Sequence, residues 1–348
     1  MPIMSNVHSL APSTAAGRPL LKWAGGKRQL LPALRGFYPL VFDRYIEPFF
    51  GSGAVFFDLH GSGRLDGKQA WLVDDNADLI GCYRMLMSRT DEVITALQRL
   101  ASEHDARGTE FYYEVRDARF NPMRAVASGA YTPDMAAMLI YLNRTGFNGL
   151  FRLNKSGAFN VPAGRYVNPR IVDEAHLRQV AFALRRRGVT LVHGSFDGAL
   201  LEAGKGDFVY CDPPYAPLSR TACFANYTAN GFTLADQARL QRGVIEAARR
   251  GACVVLSNSS APDIERLYST ADAQRVQLRI ERVDARRAIN SRAQSRGPVT
   301  ELIVTNVTGR RHGDGEWPDR AAGKKLRMAK AVLNERTVTQ MRANRGRR

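Results

Sequence analysis

The residues with the sharpest chemical meaning are Asp212-Pro213-Pro214-Tyr215, which directly follow the apolar run Phe208-Val209-Tyr210-Cys211. Such a run is expected as a buried strand, and α/β proteins place their reactive groups at the carboxyl ends of these strands. The four residues suit activation of an exocyclic amine. That amine donates its lone pair into its ring and stays a poor nucleophile until two acceptors hold its hydrogens and tilt the nitrogen toward a tetrahedral shape. The Asp212 carboxylate offers one acceptor. The Pro213 carbonyl offers the other, fixed in advance because proline rings lock φ. Tyr215 presents a face on which a flat base stacks. The matching reaction is transfer of an already activated methyl group, which requires neither a metal nor a covalent enzyme intermediate.

A second constellation precedes it. Glu47-Pro48-Phe49-Phe50-Gly51-Ser52-Gly53 follows an apolar run and leads into the helical stretch Ala54 to Leu59, as a cofactor-binding turn does. Phe56 stands where the third glycine of a dinucleotide fingerprint would be, so close approach to a pyrophosphate is not implied. A cofactor without phosphates fits better. Asp74, about 20 residues beyond Gly53 at the end of the next expected strand, is placed to bond ribose hydroxyls. Lys22-Trp23-Ala24-Gly25-Gly26-Lys27 is not a phosphate loop, because Leu21 and Arg28 replace the required glycine and hydroxyl residue. A role facing the cofactor suits Trp23, Gly26 and Lys27. Joined to the Pro-Pro motif, these turns point to S-adenosylmethionine.

Residues 144–166 interleave basic and aromatic side chains with four glycines. A loop or hairpin of this composition fits a DNA groove. Arg152 suits bidentate reading of guanine, and Lys155 and Arg165 suit phosphates. Phe147 is placed to wedge into the base stack and help extrude a target base. Arg144 and Asn148, in the same stretch, join them as candidate DNA contacts.

The elements needed to position these groups are legible as alternating strands and helices. Strands are expected at Arg44–Pro48, Ala70–Asp74, Val189–His193, Asp207–Cys211 and Ala252–Ser257. Helices are expected at Asn76–Met87, Asp91–Ala101, Asp173–Arg186 and Leu234–Arg249, the last capped by Thr233. This alternation predicts an α/β fold with a doubly wound, Rossmann-like sheet. Val276–Val283 and Val299–Val304 read as an antiparallel edge hairpin. Residues 102–170 break the pattern with helices at Phe111–Phe120 and Asp134–Asn143, and are expected to form a smaller, mostly helical recognition domain carrying the hairpin. The remaining divisions are a loose tail at 1–17, a catalytic domain at 18–101 and 171–309, and a basic extension at 310–348.

Composition agrees with a nucleic-acid partner. The chain of 348 residues carries a net charge of +17, and its pI is near 10.1. Residues 310–348 hold 12 Lys or Arg against 4 Asp or Glu, so +9 remains outside the extension. Such an excess attracts polyanions. No apolar run approaches the roughly 20 residues of a membrane span, and the first residues lack a secretory pattern. Cys82, Cys211, Cys223 and Cys253 form no C-x-x-C pair and are expected as reduced, buried cysteines. The six histidines show no H-x-x-x-H spacing, so no metal is expected.

At this point the chain resembles the DNA adenine methylase (Dam) family over about Leu20 to Thr305. The resemblance runs through Leu21–Lys27, Glu47–Phe49 with Gly51 and Gly53, Asp74, Tyr141–Arg144, Asn148–Leu150, Phe159–Tyr166 and Tyr210–Ser219. It implies N6 methylation of adenine in duplex DNA at GATC or a related site, by a monomer in the cytoplasm. It also implies cofactor contacts from Trp23, Lys27, Asp74 and Asp212, and DNA contacts from Lys22, Phe147, Leu150, Arg152 and Pro162. Phe147 stands where the family usually has tyrosine, and the basic segment Arg286–Arg296 matches the family poorly. The residues themselves leave two alternatives open. One is methylation of cytosine N4 or of RNA adenine, since the motif chemistry does not choose the ring. The other is a catalytically silent DNA-binding relative, whose signature would be a damaged motif; both motifs are intact.

Overall fold

The five apolar runs form five parallel strands: β1 (Arg44–Glu47), β2 (Gln69–Asp74), β3 (Val189–His193), β4 (Asp207–Cys211) and β5 (Cys253–Ser259). The structure, a computed structural model, describes residues 19–23, 25–126, 131–216, 232–286 and 298–308. Expectations for residues 1–17, Pro217–Ser219, Cys223, the basic segment over residues 287–296 and residues 310–348 lie outside the described residues. The sheet has the order β3-β2-β1-β4-β5-β7-β6, with β6 at Arg279–Arg286 and β7 at Pro298–Thr305.

The last two strands form the expected antiparallel hairpin at one edge of the sheet, with β7 its inner strand and β6 its outer one. β7 inserts between β5 and β6 and pairs with both, so that only β6 is the edge. Burial explains the order. Leu302, Ile303 and Val304 on β7 are all fully buried, so this strand needs cover on both faces. No side chain described on β6 is fully buried.

Eleven α-helices accompany the sheet among the described residues: α1 (Leu31–Leu34), α2 (Ala54–Gly61), α3 (Ala77–Ser88), α4 (Thr90–Glu114), α5 (Asn121–Val126), α6 (Pro133–Thr145), α7 (Glu174–Leu184), α8 (Phe196–Glu202), α9 (Leu234–Arg249), α10 (Pro262–Tyr268) and α11 (Ala271–Arg275). Asn76, Asp173 and Thr233 cap α3, α7 and α9 by accepting a backbone N–H with their side chains, which offsets donors left unpaired at a helix start. The insert differs from expectation. α4 is two helical segments meeting at a kink at Gly108, φ 58°, and the second ends at Glu114; that conformation is cheap only for glycine. Phe111–Phe120 is therefore split between the end of α4 and a π-helical turn at Val115–Phe120.

Side chains alternate across the sheet, so one strand feeds two cores. Phe208 and Tyr210 of β4 enter the core shared with α3, α4, α6 and α7, whereas Val209 and Cys211 enter the core with α8 and α9. The first core continues without a break into the insert through Phe111, Tyr112, Leu139 and Phe159. Cys82 and Cys211 are buried, but Cys253 at the start of β5 is only half-buried. Among the described residues, no helix is long and apolar enough to cross a membrane.

Candidate active site

Asp212 leaves β4 at its carboxyl end and is held on one oxygen by two donors. Lys27 Nζ lies 2.9 Å from Asp212 Oδ1, and Ser257 Oγ donates to the same atom at 2.8 Å. Burial pushes the Asp212 carboxyl up, against the pull of Lys27 and Ser257 toward the ionised form. Lys27 also donates to the Gly25 carbonyl at 2.6 Å and sits 4.2 Å from the centre of the Tyr215 ring, within cation–π reach. Tyr215 in turn donates its hydroxyl to Glu301 Oε2 at 2.6 Å. The loop backbone is fastened as well. Gln237 donates to the Pro214 carbonyl at 2.9 Å, Asn258 Oδ1 accepts from Ala216 N at 3.2 Å, and Ser259 donates to the Ala216 carbonyl at 2.6 Å. The Pro213 carbonyl accepts no hydrogen bond among the described residues.

Next to this loop lies the turn after β1. Gly51 adopts φ 47°, which favours glycine, and a Cβ there would stand in tight contact 3.2 Å from Trp23 Cδ1. Asp74 ends β2, as expected, and each of its oxygens accepts a backbone N–H. Its Oδ2 accepts from Gly51 N at 2.8 Å and its Oδ1 from Asn76 N at 2.9 Å, so the carboxylate already braces the turn. Burial pushes its carboxyl up to about 7, and those two N–H groups oppose the shift. Glu47 and Pro48 are buried; burial also holds the Glu47 carboxyl well above the usual range, and its Oε2 has no partner among the described residues. Phe49 is half-buried and stacks on Phe196 at 5.1 Å, with Phe232 edge-on at 5.8 Å. Gly53 precedes α2, and Gly26 precedes a short 3-10 turn at Lys27–Gln29.

The hairpin is present, with little ladder of its own: two bridges, Gly146 to Ala163 and Leu153 to Phe159. Side chains of the insert hold its inner edge. Asn121 exchanges two hydrogen bonds with the Phe159 backbone at 2.8 and 3.0 Å, Tyr112 and Arg116 both donate to the Val161 carbonyl at 2.9 Å, and Arg124 donates to the Gly157 carbonyl at 2.7 Å. Phe147, Asn148, Arg152, Lys155, Pro162 and Arg165 are exposed, and Leu150 is half-buried. Arg152 rests against Asn160, donating from Nε at 2.8 Å. Arg144 behaves differently from these: it turns inward and donates to the Leu20 carbonyl at 3.1 Å.

One short segment joins the regions. The Asn143 amide pairs with both backbone groups of Lys22 and donates to the Gly149 carbonyl, at 2.8–2.9 Å throughout. Gly149 has φ 64° and no room for a Cβ, which would lie 2.6 Å from Lys22 Cβ. Trp23 stacks on Phe151 at 5.5 Å, and five residues after Lys22 comes the Lys27 ammonium on Asp212. The structure thus brings the turn, the Pro-Pro loop and the hairpin base together. Gln237, Ser257, Asn258 and Glu301 escaped sequence reasoning, and Asn143 entered it only as part of the Tyr141–Arg144 segment, with no role of its own. Ser257-Asn258-Ser259, a polar triplet closing an apolar strand, was the available signal.

A parallel sheet with one antiparallel strand near its edge, carrying a fastened Asp-Pro-Pro-Tyr loop beyond its carboxyl ends, has the architecture of an α/β methyltransferase. The sequence profile of the D12 class N6 adenine-specific DNA methyltransferases matches residues 23–289, and the chain belongs to that family. Relatives agree along nearly their whole length. The Type II methyltransferase M1.LlaDCHI of Lactococcus lactis subsp. cremoris is 38% identical, with 83% of this chain and 95% of that protein covered. Type II methyltransferase M.MjaIII of Methanocaldococcus jannaschii is 37% identical, with 83% and 99% covered. DNA adenine methylase of Escherichia coli K12 is 37% identical, with 84% and 96% covered. The protein is an adenine-specific DNA methyltransferase.

Proposed function

We propose that the protein methylates the N6 amine of an adenine in duplex DNA, at GATC or a related short site, with S-adenosylmethionine as donor and the target base turned out of the stack. The observation that carries this reading is the fastened Asp212 loop. Its Asp212 Oδ2 and Pro213 carbonyl accept nothing among the described residues, whereas the neighbouring Asp212 Oδ1 and Pro214 carbonyl are both engaged. Two acceptors held in advance need no reorganisation as charge develops on the amine nitrogen. Tyr215, fixed by Glu301 and Lys27, supplies the stacking face.

When bound, S-adenosylmethionine supplies a methyl group already activated by the positive charge of its sulfonium. The residues present fit that cofactor. The buried, unpartnered Glu47 Oε2 suits a hydrogen-bond donor of its amino-acid part. Phe49 and Pro48 offer apolar cover, and Trp23, Gly26, Lys27, Gly51, Gly53 and Asp74 shape the surrounding turns. On the DNA side, Arg152 reads guanine, Lys22, Lys155 and Arg165 engage phosphates, and Phe147, Asn148, Leu150 and Pro162 line the face toward the bases. Residues 102–170 act as the target-recognition unit and 18–101 with 171–309 as the catalytic unit, in a monomer working on DNA in the cytoplasm.

The test is transfer of labelled methyl groups to duplex DNA, single strands and RNA, followed by identification of the modified nucleoside and sequencing of the modified sites. N6-methyladenine from the duplex is expected. N4-methylcytosine, or product from RNA alone, overturns the reading.

A further inference from the structure

The hydrogen bonds on Asp212 are one-sided. Oδ1 receives both Lys27 and Ser257, and Oδ2 receives nothing among the described residues. Ser257 has a single hydroxyl hydrogen, which its bond to Asp212 uses. Tyr210 Oη lies 3.1 Å from Ser257 Oγ, so in that pair the Tyr210 hydroxyl is the donor. Two hydrogen bonds therefore run in series from Tyr210 to Ser257 to Asp212. Tyr210 is 1% exposed and Ser257 0%, so water does not compete for either hydroxyl.

Strand register dictates this meeting. Cys211 of β4 pairs with Leu256 of β5, which makes Asp212 and Ser257 the next pair along, while Tyr210, two residues back, projects from the same face as Asp212. Neither hydroxyl has a separate structural duty. The Ser257 and Tyr210 side-chain hydrogen bonds are these two alone among the described residues.

We propose that Ser257, backed by Tyr210, is a positioning residue that fixes the Asp212 carboxylate so that Oδ2 alone meets the hydrogen of the target amine. This rests on the reading of Asp212 as an amine acceptor given above. A carboxylate free to rotate would offer either oxygen. With Oδ1 anchored by two donors, one of them charged, the torsion is set and the anion is favoured.

The experiment is single-turnover methylation of duplex DNA by the full chain across pH, with saturating S-adenosylmethionine and with DNA and donor affinities measured separately. The charged and titratable groups facing Asp212 are Lys27, Glu47, Tyr210, Cys211, Tyr215 and Glu301, and Ser257→Ala leaves all six in place. The expected result is a rate about ten- to hundredfold lower, the size of a lost hydrogen bond to a charged group, with unchanged affinities. The acid limb of the pH–rate profile moves to higher pH. Loss of a donor raises the Asp212 carboxyl, and activity needs its ionised form. Tyr210→Phe keeps the ring and should lower the rate by only about two- to fivefold, in the same direction. Asp212→Ala, which removes both carboxylate oxygens, separates the two failures. If that variant stays active, the acceptor reading itself falls and this proposal with it. If it is inactive while Ser257→Ala keeps the wild-type rate and acid limb, this proposal alone is overturned. A Ser257→Ala rate loss equal at every pH, or accompanied by weaker DNA binding, also overturns it, because packing damage would produce that.

Discussion

The Pro-Pro loop and the basic hairpin at residues 144–166 are both held by side chains from neighbouring elements, yet they are held in opposite ways. Around Asp212, Ser257, Gln237, Asn258 and Ser259 fasten the loop from β5 and α9 and leave two acceptors open. In the hairpin, Asn121, Tyr112, Arg116 and Arg124 fasten only the inner backbone edge, and Phe147, Arg152, Lys155 and Arg165 stay exposed. The difference teaches where rigidity is worth its cost in entropy. A methyl transfer depends on acceptors set before the amine arrives. A groove is met by long side chains that settle onto it, and their anchoring needs to reach only as far as the backbone.

The sharpest way to break this contrast is Asp212→Ala. Methylation should fall on the order of a thousandfold or more while salt-sensitive DNA binding persists, as measured by methyl transfer and titration of the same duplex. Binding lost in parallel would mean that the two regions are not separable. Arg152→Ala should do the converse at smaller scale, relaxing site preference by roughly 1 to 3 kcal/mol, read from rates on cognate and altered duplexes. Unchanged preference would remove Arg152 from base reading.

Asp74 sharpens the comparison from the rigid side. Burial places its carboxyl at about 7 in the folded protein, above the value of about 4 in an unfolded chain. The folded form therefore binds the extra proton, and the stability linked to it is fully present below the unfolded value and lost as pH rises through about 7. Asp74→Asn should flatten the dependence of Tm on pH across that window; an unaltered slope would show that Asp74 does not titrate there. The smallest effect on chemistry is expected from truncation before Arg310, which removes a net +8. Binding should weaken more at low salt than at high salt, and the catalytic rate should hold. Unchanged salt dependence would make the extension irrelevant to DNA.

The frame of the site was legible because β1, β2, β4 and β5 are apolar runs that end in polar or turn residues, and burial on both faces writes that pattern directly. Asp212, Lys27 and the glycine turns were legible because their chemistry is carried in contiguous residues. What stayed hidden depends on alignment between strands. Ser257 reaches Asp212 through the β4–β5 register, and Glu301 reaches Tyr215 only because β7 sits inside the sheet. Periodicity records that a strand exists, not which neighbour it joins. The bond from Arg144 to the Leu20 carbonyl stayed hidden for a similar reason, since the two residues are 124 positions apart in the chain. Asp74 matched its expected position, but the bonds to Gly51 and Asn76 make it a brace for the turn as well.

The strand that carries Glu301 follows every other described strand in the chain, yet it lies beside β5, the strand that anchors the Pro-Pro loop. During synthesis, Asp212 and Tyr215 emerge well before this neighbour, and a nascent polypeptide that stops short of residue 298 lacks both the Glu301 carboxylate and the outer partner of β5. Incomplete translation products are therefore expected to carry the reactive motif without the support that orients it.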